Sequence, residues 1–153
     1  MIPGKKVTAY ATSAVTPEKS RHDVEYMLDK QGVKIYLWKK DDPQNTYLIF
    51  QVVENEQKLA FKVNVPFIEK ETKDPSASWR KITVFDEQRS YRFFFHIFKS
   101  MLLNTQIGMS LQQVFGNYLV VGSLPDGTPL SVSDKVSEMI ANKQVPTLPT
   151  GMM

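Results

Sequence analysis

The sequence predicts an α+β domain in which a long amphipathic helix packs on a three-stranded antiparallel meander. Residues 59–65 alternate apolar and polar side chains, the period of a strand with one buried face. Two more strand-like runs precede it, at 33–38 and 47–53, and the short polar connections between the three runs favour antiparallel neighbours. A helix is predicted between Asp86 and Asn104, because six apolar residues share one face there: Tyr91, Phe94, Phe95, Phe98, Met101 and Leu102.

A shorter helix is predicted before the strands. Thr16 is a good N-cap, Pro17 fits the first helical position, and Glu18 suits the positive end of the helix dipole. Gly32 is expected to end this helix, because glycine readily adopts the left-handed conformation of a helix C-terminus.

The second half of the chain predicts smaller elements. Residues 67–78 carry many charges and a proline, so we expect a long mobile loop there. A short helix at 110–115 and a strand at 118–121 should follow the long helix. A turn at 125–127 then leads to a C-terminal helix capped by Ser131 or Ser133.

The predicted organisation is a single domain over residues 16–144. Residues 1–15 are a polar, threonine-rich arm that we expect to be flexible, and residues 145–153 are a tail with two prolines that we expect to fray. The chain of 153 residues has 42% hydrophobic residues, enough to form a core without disulfides or a structural metal.

The absence of cysteine excludes disulfides, thiol nucleophiles and cysteine-ligated zinc. It suits a reducing compartment, and we expect a cytoplasmic protein. The first residues are too polar for a signal peptide, and no apolar run approaches the roughly 20 residues of a membrane span, so no membrane partner is expected.

No motif points to catalysis. His22 and His96 lie far apart without ligand spacing, and no glycine pattern forms a phosphate-binding loop. Glu71-Thr72-Lys73 matches the Glu-x-Lys fragment of many nucleases, but that fragment should sit on a strand with apolar neighbours, and here we expect a charged loop. We predict no catalytic residue, no metal and no cofactor; enzyme activity stays open, and a non-catalytic role is favoured.

Basic residues concentrate between Trp79 and Ser100. Five bases and two acids lie there, and this surplus equals the net charge of +3 for the whole chain. The bases are Arg80, Lys81, Arg89, Arg92 and Lys99. The last three, with His96, should form a row on the back of the long helix, suited to phosphates or an acidic protein partner. The alternative is the ordinary polar face of a packed helix.

Two aromatic residues give a second candidate contact. Tyr36 and Trp38 alternate with apolar residues on the first strand, and Lys39 and Lys40 follow them. Exposed aromatic side chains beside lysines stack on single-stranded bases. The alternative is that a helix covers both rings.

Several segments, taken in order, resemble an uncharacterised family of short bacteriophage and prophage proteins: YMLDKQG, LAFKVNVP, RSYRFFFHIFKSML, IG before the short helix, LPDGTPL and VPTLP. Members tend to carry Trp where Tyr91 stands and basic residues where Arg92 and Lys99 stand. They tend to be acidic after that lysine, where this chain has NTQIGMSLQQVFGN. The resemblance implies a mobile-element origin and no particular chemistry.

The first function hypothesis is a non-catalytic, nucleic-acid-associated accessory protein of a phage or mobile element. The order of helix, three strands and long helix is similar to the double-stranded RNA-binding fold, which bears on function only by analogy. The alternative is a protein-interaction module or structural subunit of a larger assembly. A second copy of the chain is also a candidate partner.

Overall fold

The computed structural model, which describes residues 14–40, 42–144 and 146–147, contains helices and groups of consecutive antiparallel strands. The elements are α1 (Pro17–Lys30), β1 (Ile35–Lys39), β2 (Tyr47–Glu54), β3 (Gln57–Asn64), β4 (Glu69–Asp74), β5 (Ala77–Phe85), α2 (Glu87–Leu102), α3 (Leu111–Phe115), β6 (Val120–Ser123), β7 (Pro129–Ser131) and α4 (Val132–Ala141). The predicted α+β class is confirmed. The predicted arm and tail fall largely outside the described residues.

The central sheet has the strand order β1-β2-β3, as the meander prediction required. All pairs are antiparallel, with Leu37 opposite Ile49 and Phe50 opposite Phe61. The inner face of this sheet carries the core. There the ring centroid of Phe50 lies 5.4 Å from Phe61, 6.0 Å from Phe98 of α2 and 5.3 Å from Phe115 of α3.

Both long helices cover that inner face. Val24 and Leu28 of α1 are fully buried in the same core as Phe94 and Phe98 of α2. Thr16 caps α1 as predicted, its hydroxyl accepting from the amide of Lys19 at 3.1 Å. Of the six residues predicted on the apolar face of α2, four are buried, and Phe95 and Met101 are half-buried against the same core.

The prediction of a mobile loop at 67–78 is wrong. These residues enter a hairpin, in which β4 pairs with β5 as a separate two-stranded sheet. Every side chain from Glu69 to Lys73 is exposed, so neither face of β4 shows an apolar alternation. A strand solvated on both faces leaves no hydrophobic period, which is why the sequence suggested a loop.

The hairpin is fastened at its base. The amide of Asp86 donates to the carbonyl of Ile68 at 2.7 Å, and the amide of Ile68 donates to Oγ of Ser90 at 3.2 Å. The rings of Phe67 and Phe85 stack with centroids 5.5 Å apart. These contacts hold the two ends of the hairpin together where it projects from the chain between β3 and α2.

The C-terminal unit lies against the outer side of β3. Of the two predicted caps, Ser131 is the one observed, and it forms a capping box with Asp134 at the start of α4. The predicted strand at 118–121 is β6, shifted to 120–123, and its partner β7 was not predicted. This unit covers Lys62, which the alternation of β3 had assigned to the polar face and which is only 4% exposed.

Candidate nucleic-acid interface

The predicted contact residues fall into three separate places: the α2 helix, the end of β1 and the β4–β5 hairpin. The α2 row is more deeply set than predicted. The side chain of Arg89 is 14% exposed and lies 3.2 Å from Oδ2 of Asp86. The side chain of Arg92 is 17% exposed, and its Nη1 lies 3.2 Å from Oδ2 of Asp23 on α1.

These two arginines therefore do not form the solvated outer row that helical spacing suggested. Arg92 also lies over the ring of Phe95, with its guanidinium carbon 4.2 Å from the ring centroid. The reason is that α1 packs alongside α2, so part of the presumed back of α2 is an interhelical seam. Lys99, near the end of α2, is exposed. Anion binding by the whole row stays a prediction.

His96 lies between these cations on α2. Its burial, together with the charges of Arg92 and Lys99, lowers the pKa of the imidazole below its usual value. The shift therefore reduces the positive charge that the imidazole adds to the row at neutral pH.

The first strand does not offer free stacking platforms. The Trp38 ring makes edge contacts with Tyr91 and Phe94, at centroid distances of 5.7 Å and 5.5 Å, and its Nε1 donates to Glu25 of α1 at 3.1 Å. Tyr36 is likewise half-buried against the core. Of the two alternatives for these rings, cover by helices is the one observed. Lys39 and Lys40 beside them are exposed.

Arg80 and Lys81 lie near the tip of the β4–β5 hairpin. Regular pairs run from Glu69–Phe85 to Lys73–Lys81, and the next pair is Asp74–Ala77. The register therefore skips residues 78–80 of β5, which form a bulge at the tip. Bulges of this kind redirect side chains away from the regular pleat.

Asp74 organises this tip from within. It is 8% exposed. Its Oδ1 accepts from the amide and hydroxyl of Ser76, at 2.9 Å and 2.8 Å, and its Oδ2 accepts from Nε of Arg80 at 2.8 Å and also from Nη2. The amide of Ser76 and the guanidinium of Arg80 lower the pKa of the Asp74 carboxyl. The carboxylate is therefore charged at neutral pH and holds both the turn and the bulge.

The bulge presents Trp79 to solvent. Its side chain is 84% exposed, the largest exposure among the large hydrophobic residues of the described chain. An indole with this exposure leaves most of its apolar surface in water, which is typical of a contact residue. Trp79 was not among the predicted site residues. The signal that could have found it is the run Trp79-Arg80-Lys81, where an aromatic residue precedes two cations outside any apolar period.

Two lysines face each other beside this tryptophan. Lys73 and Lys81 are directly opposite across the strands, and both are exposed. Side chains in such pairs start about 5 Å apart, and like charges placed so destabilise a hairpin. An anion between or beside the two ammonium groups would relieve this repulsion.

The acids of the hairpin do not form a metal site. Glu71-Thr72-Lys73 lies on strand β4, so the expected loop placement of this fragment is wrong, but its neighbours on the strand are charged and not apolar. Asp74 is engaged by Ser76 and Arg80. Among the residues that the structure describes, no three His, Cys, Asp or Glu side chains converge as metal ligands would.

Comparison of the chain with models of known protein families, with characterised proteins and with solved structures finds no match. The resemblance to phage proteins therefore stays a prediction. Within the described ranges, no helix has the length and apolar character needed to cross a membrane.

Proposed function

We propose that this protein is a non-catalytic nucleic-acid-binding accessory protein, and that the tip of the β4–β5 hairpin makes the contact. The observation that carries the proposal is the opposed pair Lys73–Lys81 beside the exposed Trp79. The two ammonium groups suit phosphates, and the indole suits a base. The origin of the protein in a phage or mobile element rests on the resemblance of its sequence segments.

The shape of the hairpin supports this role. A two-stranded ribbon is narrow enough to enter a nucleic-acid groove or to lie along a strand. The strands of the ribbon pair only with each other among the described residues. Toward the base of the ribbon Lys70 lies between Glu69 and Glu71, whereas the opposed lysines lie toward the tip, so phosphates would be drawn to the tip.

The test is fluorescence anisotropy of labelled nucleic acids with a variant that neutralises both tip lysines, Lys73→Gln with Lys81→Gln. A matched control neutralises two exposed lysines elsewhere, Lys58→Gln with Lys135→Gln. We expect the tip variant to bind more weakly and to flatten the log–log salt dependence by about 0.7 to 0.9 per lost phosphate contact. In the control variant, the changes in affinity and in salt slope should be small compared with those in the tip variant.

Stability separates a contact role from a structural one. Because the tip variant removes a like-charge pair, its unfolding midpoint should be unchanged or slightly raised. The proposal is overturned if the wild-type protein binds no nucleic acid at low salt, or if the tip variant and the control variant bind alike.

A second candidate function, a protein-interaction module, is favoured by an apolar patch on the outer face of the central sheet. Ile35, Leu37 and Val53 are 60%, 62% and 65% exposed there, and no described strand pairs with the outer edge of β1. Apolar patches of this kind often mark contacts between proteins. Sedimentation of the wild type and of Leu37→Lys tests whether a second copy covers the patch: self-association that this variant abolishes would support it.

A further inference from the structure

We infer that the hairpin tip is built for single-stranded nucleic acid, with Trp79 stacked on an unpaired base and Lys73 and Lys81 on the neighbouring phosphates. This inference rests on the proposed function and specifies its substrate class. It starts from the tryptophan, because lysines alone would bind the phosphates of a duplex equally well.

The exposure of Trp79 decides between the two forms of nucleic acid. The flat faces of bases in a duplex are already stacked on each other, whereas unpaired bases offer a face to an aromatic ring. For Trp79 to meet a base face in a duplex, it would have to wedge open a base step, which costs a few kcal/mol. A ring that is 84% exposed can instead stack on a splayed base without displacing protein contacts.

The arrangement of the cations fits an extended backbone. Lys81 is the first paired residue after the bulge that carries Trp79, and Lys73 lies across the ribbon from Lys81. Their flexible stems let the two ammonium groups reach phosphates near the stacked base. Both are point charges, which favour backbone contacts over the reading of base edges.

Stacking as the main base contact implies little sequence preference. The Nε and Nη2 of Arg80 both donate to Oδ2 of Asp74, which holds this side chain against the bulge. Base stacking is tolerant of sequence, because every base has a flat face. We therefore expect similar affinity for single strands of different composition.

The experiment compares Trp79→Ala with the wild type on single strands of mixed sequence and on a duplex of the same length. Stacking on one base is worth about 1–3 kcal/mol, which corresponds to about a 5- to 150-fold loss of single-strand affinity in the variant. Duplex affinity should change less than about twofold. The salt slope should stay the same in Trp79→Ala, because stacking releases no counterions, whereas the tip-lysine variant should lower it.

Fluorescence gives a direct readout of the ring. The chain has two tryptophans. Trp38 is half-buried and hydrogen-bonded to Glu25, so the difference between wild type and Trp79→Phe reports on Trp79 without disturbing the core. Adding single strands should quench this difference signal, and adding the duplex should not. Trp79→Phe should keep part of the affinity lost in Trp79→Ala.

The outcomes separate the two claims. If single strands and duplex bind and Trp79→Ala weakens neither, or both equally, the single-strand inference is overturned and the proposed function stands. If the wild type binds neither form at low salt, the proposed function falls and the inference falls with it. Selective loss of single-strand binding, with quenching by single strands only, supports both.

Discussion

Lys62 and Asp134 form an ion pair inside the protein, with Nζ of the lysine 3.3 Å from Oδ2 of the aspartate and the lysine side chain only 5% exposed. The same ammonium donates to the carbonyl of Pro129 at 3.1 Å and lies 4.8 Å from the ring centroid of Tyr47. Asp134 also accepts from the amide of Ser131 at 2.9 Å. One charged pair thus joins β3 to the start of α4.

We expect the two partners to differ in what their removal costs. Asp134→Ala leaves a desolvated ammonium without its counter-ion and should destabilise the protein by about 3 kcal/mol. Lys62→Met removes the buried charge but keeps an apolar stem of similar length, so the loss should be about 1 kcal/mol. Urea unfolding of the two variants measures this. Equal losses would mean that the ammonium is hydrated in the folded protein.

The setting of the cations on α2 predicts unequal effects of two substitutions. Arg92→Ala loses the contacts with Asp23 and Phe95 and should cost about 1.5 kcal/mol of unfolding free energy. Lys99→Ala, its matched control on the exposed part of α2, should change it by no more than about 0.5 kcal/mol. A double-mutant cycle with Asp23→Ala should show coupling for Arg92 and none for Lys99. A coupling energy near zero between Arg92 and Asp23 would mean that Arg92 is a solvated cation on the helix surface.

The lowered pKa of His96 predicts a pH dependence of stability. Since the folded protein disfavours the imidazolium, the unfolded chain binds the proton more readily below about pH 6.5. Stability should therefore fall as the pH drops from 6.5 through the folded pKa, and His96→Gln should remove this part of the fall. An NMR titration should show the pKa below 6.5 and a rise in Lys99→Gln. A titration at or above 6.5 in the wild type would contradict the assignment.

Asp74 should control the order of the hairpin tip more than the stability of the domain. In Asp74→Asn the carboxylate that accepts from Arg80 and Ser76 is lost, so trypsin should cleave after Lys73, Arg80 or Lys81 faster, while the unfolding midpoint falls only slightly. Glu71→Gln, exposed on the same strand, is the control. Since the pKa of Asp74 is lowered, the ordering is present above about pH 3.8 and is lost as the pH falls through the folded pKa. The chemical shift of the Ser76 amide should follow this titration, and a shift unchanged down to the acid unfolding of the domain would exclude the role.

The sequence predicted the elements whose burial has a period and missed those whose burial has none. Helix α2 and strand β3 were found because their apolar residues repeat at 3.6 and 2.0 positions. The hairpin was missed because β4 is exposed along almost its whole length. Strand β7 has three residues, too few for a pattern.

The candidate site was predicted only in part, for a related reason. The sequence shows which residues are cationic, but not which of them pair with an acid from another element. Arg92 pairs with Asp23, which lies 69 positions away in the sequence. It also cannot show which face of a strand a distant segment covers, so Lys62 looked solvated. Arg80 and Lys81 were among the predicted contact residues, whereas Trp79 became a candidate only because the structure places it in an exposed bulge at the tip.

The closed base of the hairpin makes the ribbon a separable insert. The chain leaves the domain at Ile68 and re-enters at Asp86, where a single backbone hydrogen bond of 2.7 Å joins the two ends. A loop with adjoining ends adds little closure entropy when its length changes, so evolution or an engineer can lengthen, shorten or exchange the ribbon while the sheet and both helices keep their contacts. The same domain could therefore carry ribbons of different chemistry, and related chains would differ most between these two residues.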